Sequence, residues 1–123
     1  MNIIELLGLK TTLLSSEKTI VEVAVSQKLM QPFGIVHGGI NALLAETAAS
    51  LGANEVLTDN LVPVGVDIQT HHLKPVTQGV LVATATPISI GHTLQVWSVM
   101  IHEQNTNTLT STSTVTLKNH LLK

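Results

Sequence analysis

The sequence predicts an α+β domain in which one long central helix is wrapped by a curved antiparallel β-sheet. Three observations carry this expectation. Residues 38–57 contain no proline and carry apolar or small side chains almost all the way round a helical wheel. A helix without a polar face is normally buried on most sides. After it come four segments with strand-like residues, separated by Gly, Pro and Asn-rich turns.

Taken in order, Ile3–Leu7 reads as a short amphipathic helix. An extended segment runs from Leu13 to about Ser26, with alternation clearest from Thr19 to Val25. The stretch Met30-Gln31-Pro32-Phe33-Gly34 is a loop, and the long helix spans about Gly38 to Leu57. On it Ile40, Leu43, Leu44, Thr47 and Leu51 share one face, while Ala42, Ala45, Ala49, Gly52 and Ala53 share the other. The larger face is expected against the sheet, and the small residues against another backbone. Strands follow near 62–73, 79–89, 93–102 and 108–118. Turns at Pro75–Gly79, Ile90–His92 and Gln104–Asn107 join them into an antiparallel meander. The Thr, Ser and Asn bias of residues 104–116 is a hairpin turn and a strand of β-branched residues.

A chain of 123 residues suits a single domain, 1–123. Hydrophobic residues make up 44% and charged residues 11%, more apolar surface than so small a core needs, so part of it is expected between subunits. The net charge is −2 and the six basic residues are scattered, which argues against a nucleic-acid partner. The absence of cysteine excludes disulfides, thiolate metal sites and a cysteine nucleophile. The first residues have no basic run before a short, interrupted apolar stretch, and no window of about 18 apolar residues exists. No signal peptide or membrane span is expected, and the cytoplasm is the expected location.

Glu46 is the anomaly of the helix. It stands among apolar residues with no Lys or Arg within four positions. A buried carboxylate is costly unless it is paired or used. It is therefore a catalytic group, a residue at a solvent-exposed gap, or one hydrogen-bonded across a subunit interface. His37-Gly38-Gly39 lies at the helix start. It is either a plain loop-to-helix turn or a site where free N–H groups meet a developing oxyanion. His37 and Glu46 are nine residues apart, about 900° of rotation and roughly 13 Å of rise on one helix. They point to opposite sides, so acting on one bond requires two subunits.

His71 and His72 are strand neighbours that point to opposite faces and cannot share one ion without a bulge. No metal-ligand spacing appears elsewhere, and neither a metal nor a cofactor is expected. Lys74 and His92 fall at strand ends, where each could meet a phosphate or merely face water. No Gly-rich phosphate loop and no nucleophilic serine motif is present.

The run Gln31-Pro32-Phe33-Gly34-Ile35-Val36-His37-Gly38-Gly39-Ile40-Asn41-Ala42-Leu43-Leu44-Ala45-Glu46 resembles the hotdog-fold thioesterases of the phenylacetate-pathway and 4-hydroxybenzoyl-CoA thioesterase type. The likeness covers roughly residues 25–118 and extends to Val64–His72 and Gly91–Trp97. It implies hydrolysis of an acyl-CoA ester, which could be aromatic, such as 1,4-dihydroxy-2-naphthoyl-CoA. By the same resemblance Glu46 is nucleophile or general base, and Gly38 offers its N–H to the thioester oxygen. Gln31 and His37 lie near the carbonyl and sulfur, and Ser50 holds the attacking water. Gly39 and His72 line the substrate site, and Lys74 and His92 face the CoA phosphates, although the chain has no arginine. The resemblance further implies a homodimer with shared active sites, paired into a homotetramer. Two other readings stand beside it: a hotdog dehydratase acting on hydroxyacyl thioesters, and a non-catalytic acyl-CoA-binding module. The His-Gly-Gly-x6-Glu spacing argues against the first and the presence of Glu46 against the second.

Overall fold

The computed structural model describes residues 1–58 and 60–122. Helix α1 spans Ile3–Leu7, with Asn2 accepting from the Glu5 N–H at its start and Gly8 in the left-handed region (φ 76°) at its end. Strands β1 (Lys10–Leu13) and β2 (Thr19–Ala24) follow. A 3₁₀ turn at Gln27–Leu29 leads to the loop before the long helix α2 (Gly38–Val56). Strands β3 (Leu61–His72), β4 (Val80–Ile90), β5 (Leu94–Glu103) and β6 (Thr108–Leu121) complete the chain. The helix ends within a residue of its expected place, and the last four strands lie close to theirs.

Three expectations are corrected. The extended segment from Leu13 to Ser26 is not one strand. Ser15 turns the chain, its Oγ accepting from the N–H groups of Glu17 and Lys18 at 3.2 and 3.0 Å, and β1 pairs back on β2. Strand β1 is only four residues long and wholly exposed, so it leaves no alternation to read.

The four strands after the helix are also not one meander. The single antiparallel sheet runs β1-β2-β4-β5-β6-β3. Strands β4, β5 and β6 form a meander, but β3 lies beside β6 at the far edge. The reason is occupancy: β4 already has β2 on one side and β5 on the other. The remaining free edge of the meander belongs to β6.

The sheet closes on α2 by the face opposite to the one expected. Leu44, Ala45, Ala48, Ala49, Gly52 and Ala53 are the buried helix residues of the apolar core, while Ile40, Leu43 and Leu51 are only half-buried. The bulk comes instead from the strands, through Val21, Val23, Leu81, Trp97, Val99, Ile101, Val115 and Leu117. Where the sheet supplies large side chains, the helix can approach only with small ones. Gly52 shows the limit, since a β-carbon there would lie 2.7 Å from the Trp97 ring. The indole N–H donates to Gln95 Oε1 at 2.9 Å, and Gln95 Nε2 donates to the Ala53 carbonyl at 3.2 Å. The only tryptophan is thereby tied to the helix it supports.

Candidate active site

The long helix begins at a side-chain cap, His37. The loop ahead of it is pinched by a bridge between Met30 and Val36 and turns at Gly34 (φ 81°). The Val36 N–H donates to the Val76 carbonyl and the His37 N–H to the Leu29 carbonyl, at 2.9 and 2.8 Å, which fixes the entry to α2. His37 is the N-cap: its Nδ1 accepts from the Gly39 N–H at 2.8 Å, and its carbonyl accepts from the Ile40 N–H at 2.9 Å. Of the first three helical N–H groups, that of Gly38 alone has no partner among the described residues. An unpaired N–H at the positive end of a helix is a ready hydrogen-bond donor to an oxyanion.

Around this N–H the chain builds a cavity of about 300 Å³, lined by Gln31, Gly38, Asn41, His72, Lys74 and neighbouring apolar residues. Gln31, which lines the cavity, accepts at Oε1 from the Phe33 N–H. His72 faces inward and meets Asn41, with Asn41 Nδ2 and His72 Nδ1 3.1 Å apart. His71 lies on the opposite face of β3, beside Gln69, Thr112 and Thr114, as strand alternation requires. Asn41 was not singled out in the sequence. A buried amide four residues into an otherwise apolar helix is the signal that could have found it.

Glu46 and Ser50 lie elsewhere. They are one turn apart on α2 and line a second cavity of about 570 Å³ with Ile3, Ile4, Thr11, Leu43, Thr47 and Leu51. Within one chain Glu46 is exposed, so of the readings open in the sequence the structure favours a carboxylate left at a gap or presented to another surface. Its Oε2 rests on the backbone of β3, where a β-carbon at Gly65 would come within 2.6 Å. Strand β3 is irregular between Gly65 and Asp67, which marks the same spot.

The expected site residues therefore fall into two separate groups along one helix. Gln31, Gly38, His72 and Lys74 share the cavity at its N-terminus, whereas His37 and Gly39 do not line it and pair with each other as cap and capped group. Glu46 and Ser50 belong to the other cavity. His92 is in neither. It sits in the turn before Leu94, which pairs with Lys118, whereas Lys74 donates its N–H to Thr110 at the opposite end of β6.

Both the sequence and the fold match those of known proteins. The pattern of the thioesterase superfamily matches residues 33–110. A 1,4-dihydroxy-2-naphthoyl-CoA hydrolase of Listeria monocytogenes is 36% identical over 104 residues, 85% of each chain. The 1,4-dihydroxy-2-naphthoyl-CoA thioesterase 2 of Arabidopsis thaliana is 36% identical over 121 residues, covering 93% of this chain and 76% of its own. The crystal structure of a thioesterase from Haemophilus influenzae superposes with a TM-score of 0.91 at 36% identity, over 97% of this chain and 82% of that one.

Proposed function

The chain belongs to the thioesterase superfamily and is an acyl-CoA thioesterase of the hotdog fold; on that premise we propose that its active sites are shared across a homodimer. Glu46 of one chain supplies the carboxylate, and Gln31, His37 and Gly38 of the other hold the thioester carbonyl. The observation that carries this reading is the division of the site. The unpaired Gly38 N–H and the exposed Glu46 carboxylate open into different cavities of the same chain. Eight residues of helix separate them, roughly 12 Å of rise with about 80° of net rotation.

Strand β3 is the surface through which two copies would meet. It is an edge strand of 12 residues, with Val64 and Val66 exposed along it. A long exposed edge with apolar side chains invites pairing with a second strand. Glu46 lies over this strand, at Gly65, and so stands beside the same edge. A pair of such dimers, giving a homotetramer, would use the outer face of β5, where Leu94 and Met100 stand exposed between the inward-facing Gln95, Trp97, Val99 and Ile101.

The chemistry needs no metal, because a thioester carbonyl is already a good electrophile. Ser50 lies one turn from Glu46 in the same cavity and can hold a water. Glu46 takes a proton from that water, and the hydroxide oxygen bonds to the carbonyl carbon. Charge gathers on the carbonyl oxygen at the Gly38 N–H, then returns as the C–S bond breaks and the thiolate of CoA leaves. Direct attack by the carboxylate uses the same placement, through an anhydride that water opens.

The cavity beside Glu46 falls within the usual size range of small-molecule sites, and its apolar side chains Ile3, Ile4, Leu43 and Leu51 suit the acyl group. An aromatic acyl group such as 1,4-dihydroxy-2-naphthoyl fits this lining and accords with the two relatives that act on it. Lys74, at the other cavity, would meet a CoA phosphate. His92 can serve the same CoA only from the partner chain. No helix among the described residues is long and apolar enough to cross a membrane, and a cytoplasmic location forms part of this reading.

The test is thiol release from a panel of aliphatic and aromatic acyl-CoA esters, beside Glu46→Gln. Turnover by the wild type with a loss of about a hundredfold or more in the variant is the expected result. Equal turnover by both proteins would remove Glu46 from the reaction.

A further inference from the structure

Asn41 is the one polar helix residue enclosed with the core: it is 6% exposed, and its Oδ1 is shut away from solvent with no hydrogen-bond partner. An enclosed polar atom without a partner destabilises the fold, and an apolar side chain of similar size would not. The chain therefore keeps this amide against a cost in stability, in a cavity that also holds the free N–H of Gly38. The other end of the amide explains why. Asn41 Nδ2 lies 3.1 Å from His72 Nδ1. An amide NH₂ can only donate, so Nδ1 must accept, and the neutral ring then carries its proton on Nε2. The reverse amide orientation would enclose two unmet N–H donors in place of one unmet oxygen. The Nε2 edge of the ring lies against the helix start, where a β-carbon at Gly38 would be 3.0 Å from Nε2 and 3.1 Å from Cε1.

We propose that Asn41 is a positioning residue: it holds the His72 ring as the Nε2–H tautomer and so sets a second hydrogen-bond donor beside the Gly38 N–H. Asn41 itself touches no substrate. The pair of donors, one from the backbone and one from the imidazole, faces the place where the carbonyl oxygen gathers charge. The inference rests on the thioesterase reading of this cavity, but the state of the ring can be observed without turnover.

The experiment joins ring nitrogen NMR of His72 to steady-state kinetics. In the wild type the Nε2 signal is that of a protonated nitrogen and the Nδ1 signal that of an acceptor. Asn41→Asp, nearly the same shape, offers only acceptors when ionised and should place a proton on Nδ1, by a change of tautomer or by a second protonation of the ring. Asn41→Leu should lower kcat about tenfold while KM stays within about twofold, and should cost nothing further in a His72→Ala background. An Nδ1 that remains an unprotonated acceptor in Asn41→Asp overturns the proposal. So does a loss from Asn41→Leu that adds in full to that of His72→Ala, because such a loss reports structure alone. Should Asn41→Leu not fold, the nearly isosteric Asn41→Asp gives the ring signal by itself. A wild type that releases no thiol would sink the thioesterase reading, and the ring signals would still decide the role of Asn41.

Discussion

The Glu46 carboxylate lies on the bare backbone of Gly65, so closely that a β-carbon there would come within 2.6 Å of Oε2. The contact couples the middle of α2 to the edge strand at the point where β3 loses its regular register. A glycine inside a strand weakens it, and such a position is normally tolerated where another group must approach. Here the approaching group is the proposed catalytic carboxylate.

Gly65→Ala is therefore expected to act on activity more than on stability. The added methyl meets the far end of a flexible side chain, which can swing aside at little cost to the fold. A carboxylate displaced by about 1 Å should still lower kcat by up to about a hundredfold. Thermal melting beside thiol-release kinetics checks this: a melting point close to wild type with reduced kcat is the predicted pair of results.

The proposed division of the site between chains predicts complementation. Glu46→Gln and Gln31→Ala damage different half-sites. Unfolded together and refolded as a mixture, they should form heterodimers in which one site carries both lesions and the other carries none. Recovery of about a quarter of wild-type activity is expected from random pairing, against almost none for either variant alone. Absence of recovery would place both half-sites of each active site on one chain.

Gly52→Ala tests the packing of α2 on the sheet. Its methyl would be forced to 2.7 Å from the rigid indole of Trp97 and 3.0 Å from Thr19 Oγ1. Overpacking of this kind typically costs about 1–3 kcal/mol. Denaturant unfolding should show that loss with an unchanged m-value.

Glu103 should govern part of the acid stability. It is buried, and its carboxylate accepts from the N–H groups of Asn105 and Thr106 at 3.1 and 3.0 Å. Those two bonds, followed by the Val80 N–H and the Thr106 hydroxyl, hold its pKa below the ordinary glutamate value of 4.5 despite the opposing effect of burial. A group with a depressed folded-state pKa stabilises the fold above its unfolded value, and this contribution is lost as pH falls through the folded value. Glu103→Gln should melt lower than wild type at neutral pH, and the gap should narrow below about pH 4.5. A gap that stays constant with pH would mean that the charge plays no part.

Much of the fold was legible because it is local. The all-round apolar pattern of residues 38–57 marked the helix, and β-branched runs between turns marked β3 to β6. What was misread depends on distant partners. The place of β3 beside β6 follows from which strand edges are already filled, and no local pattern records that. The packing face of α2 was inverted because the bulk that fills the core sits on Trp97, Ile101 and Leu117, far along the chain. At the site, the spacing of His37 and Glu46 foretold that the start and the middle of α2 serve different cavities. Asn41 and Gly65 stayed invisible because their meaning lies in what touches them, His72 in one case and Glu46 in the other.

The helix that joins the half-sites also acts as a ruler. One residue inserted between Gly39 and Glu46 would turn the carboxylate by about 100° and advance it by about 1.5 Å, off the Gly65 backbone and out of its cavity. Each active site would draw its donors from one such ruler and its carboxylate from another. A single error of length would therefore be felt at both ends of the dimer, and eight positions of helix become as fixed in number as any catalytic group is in kind.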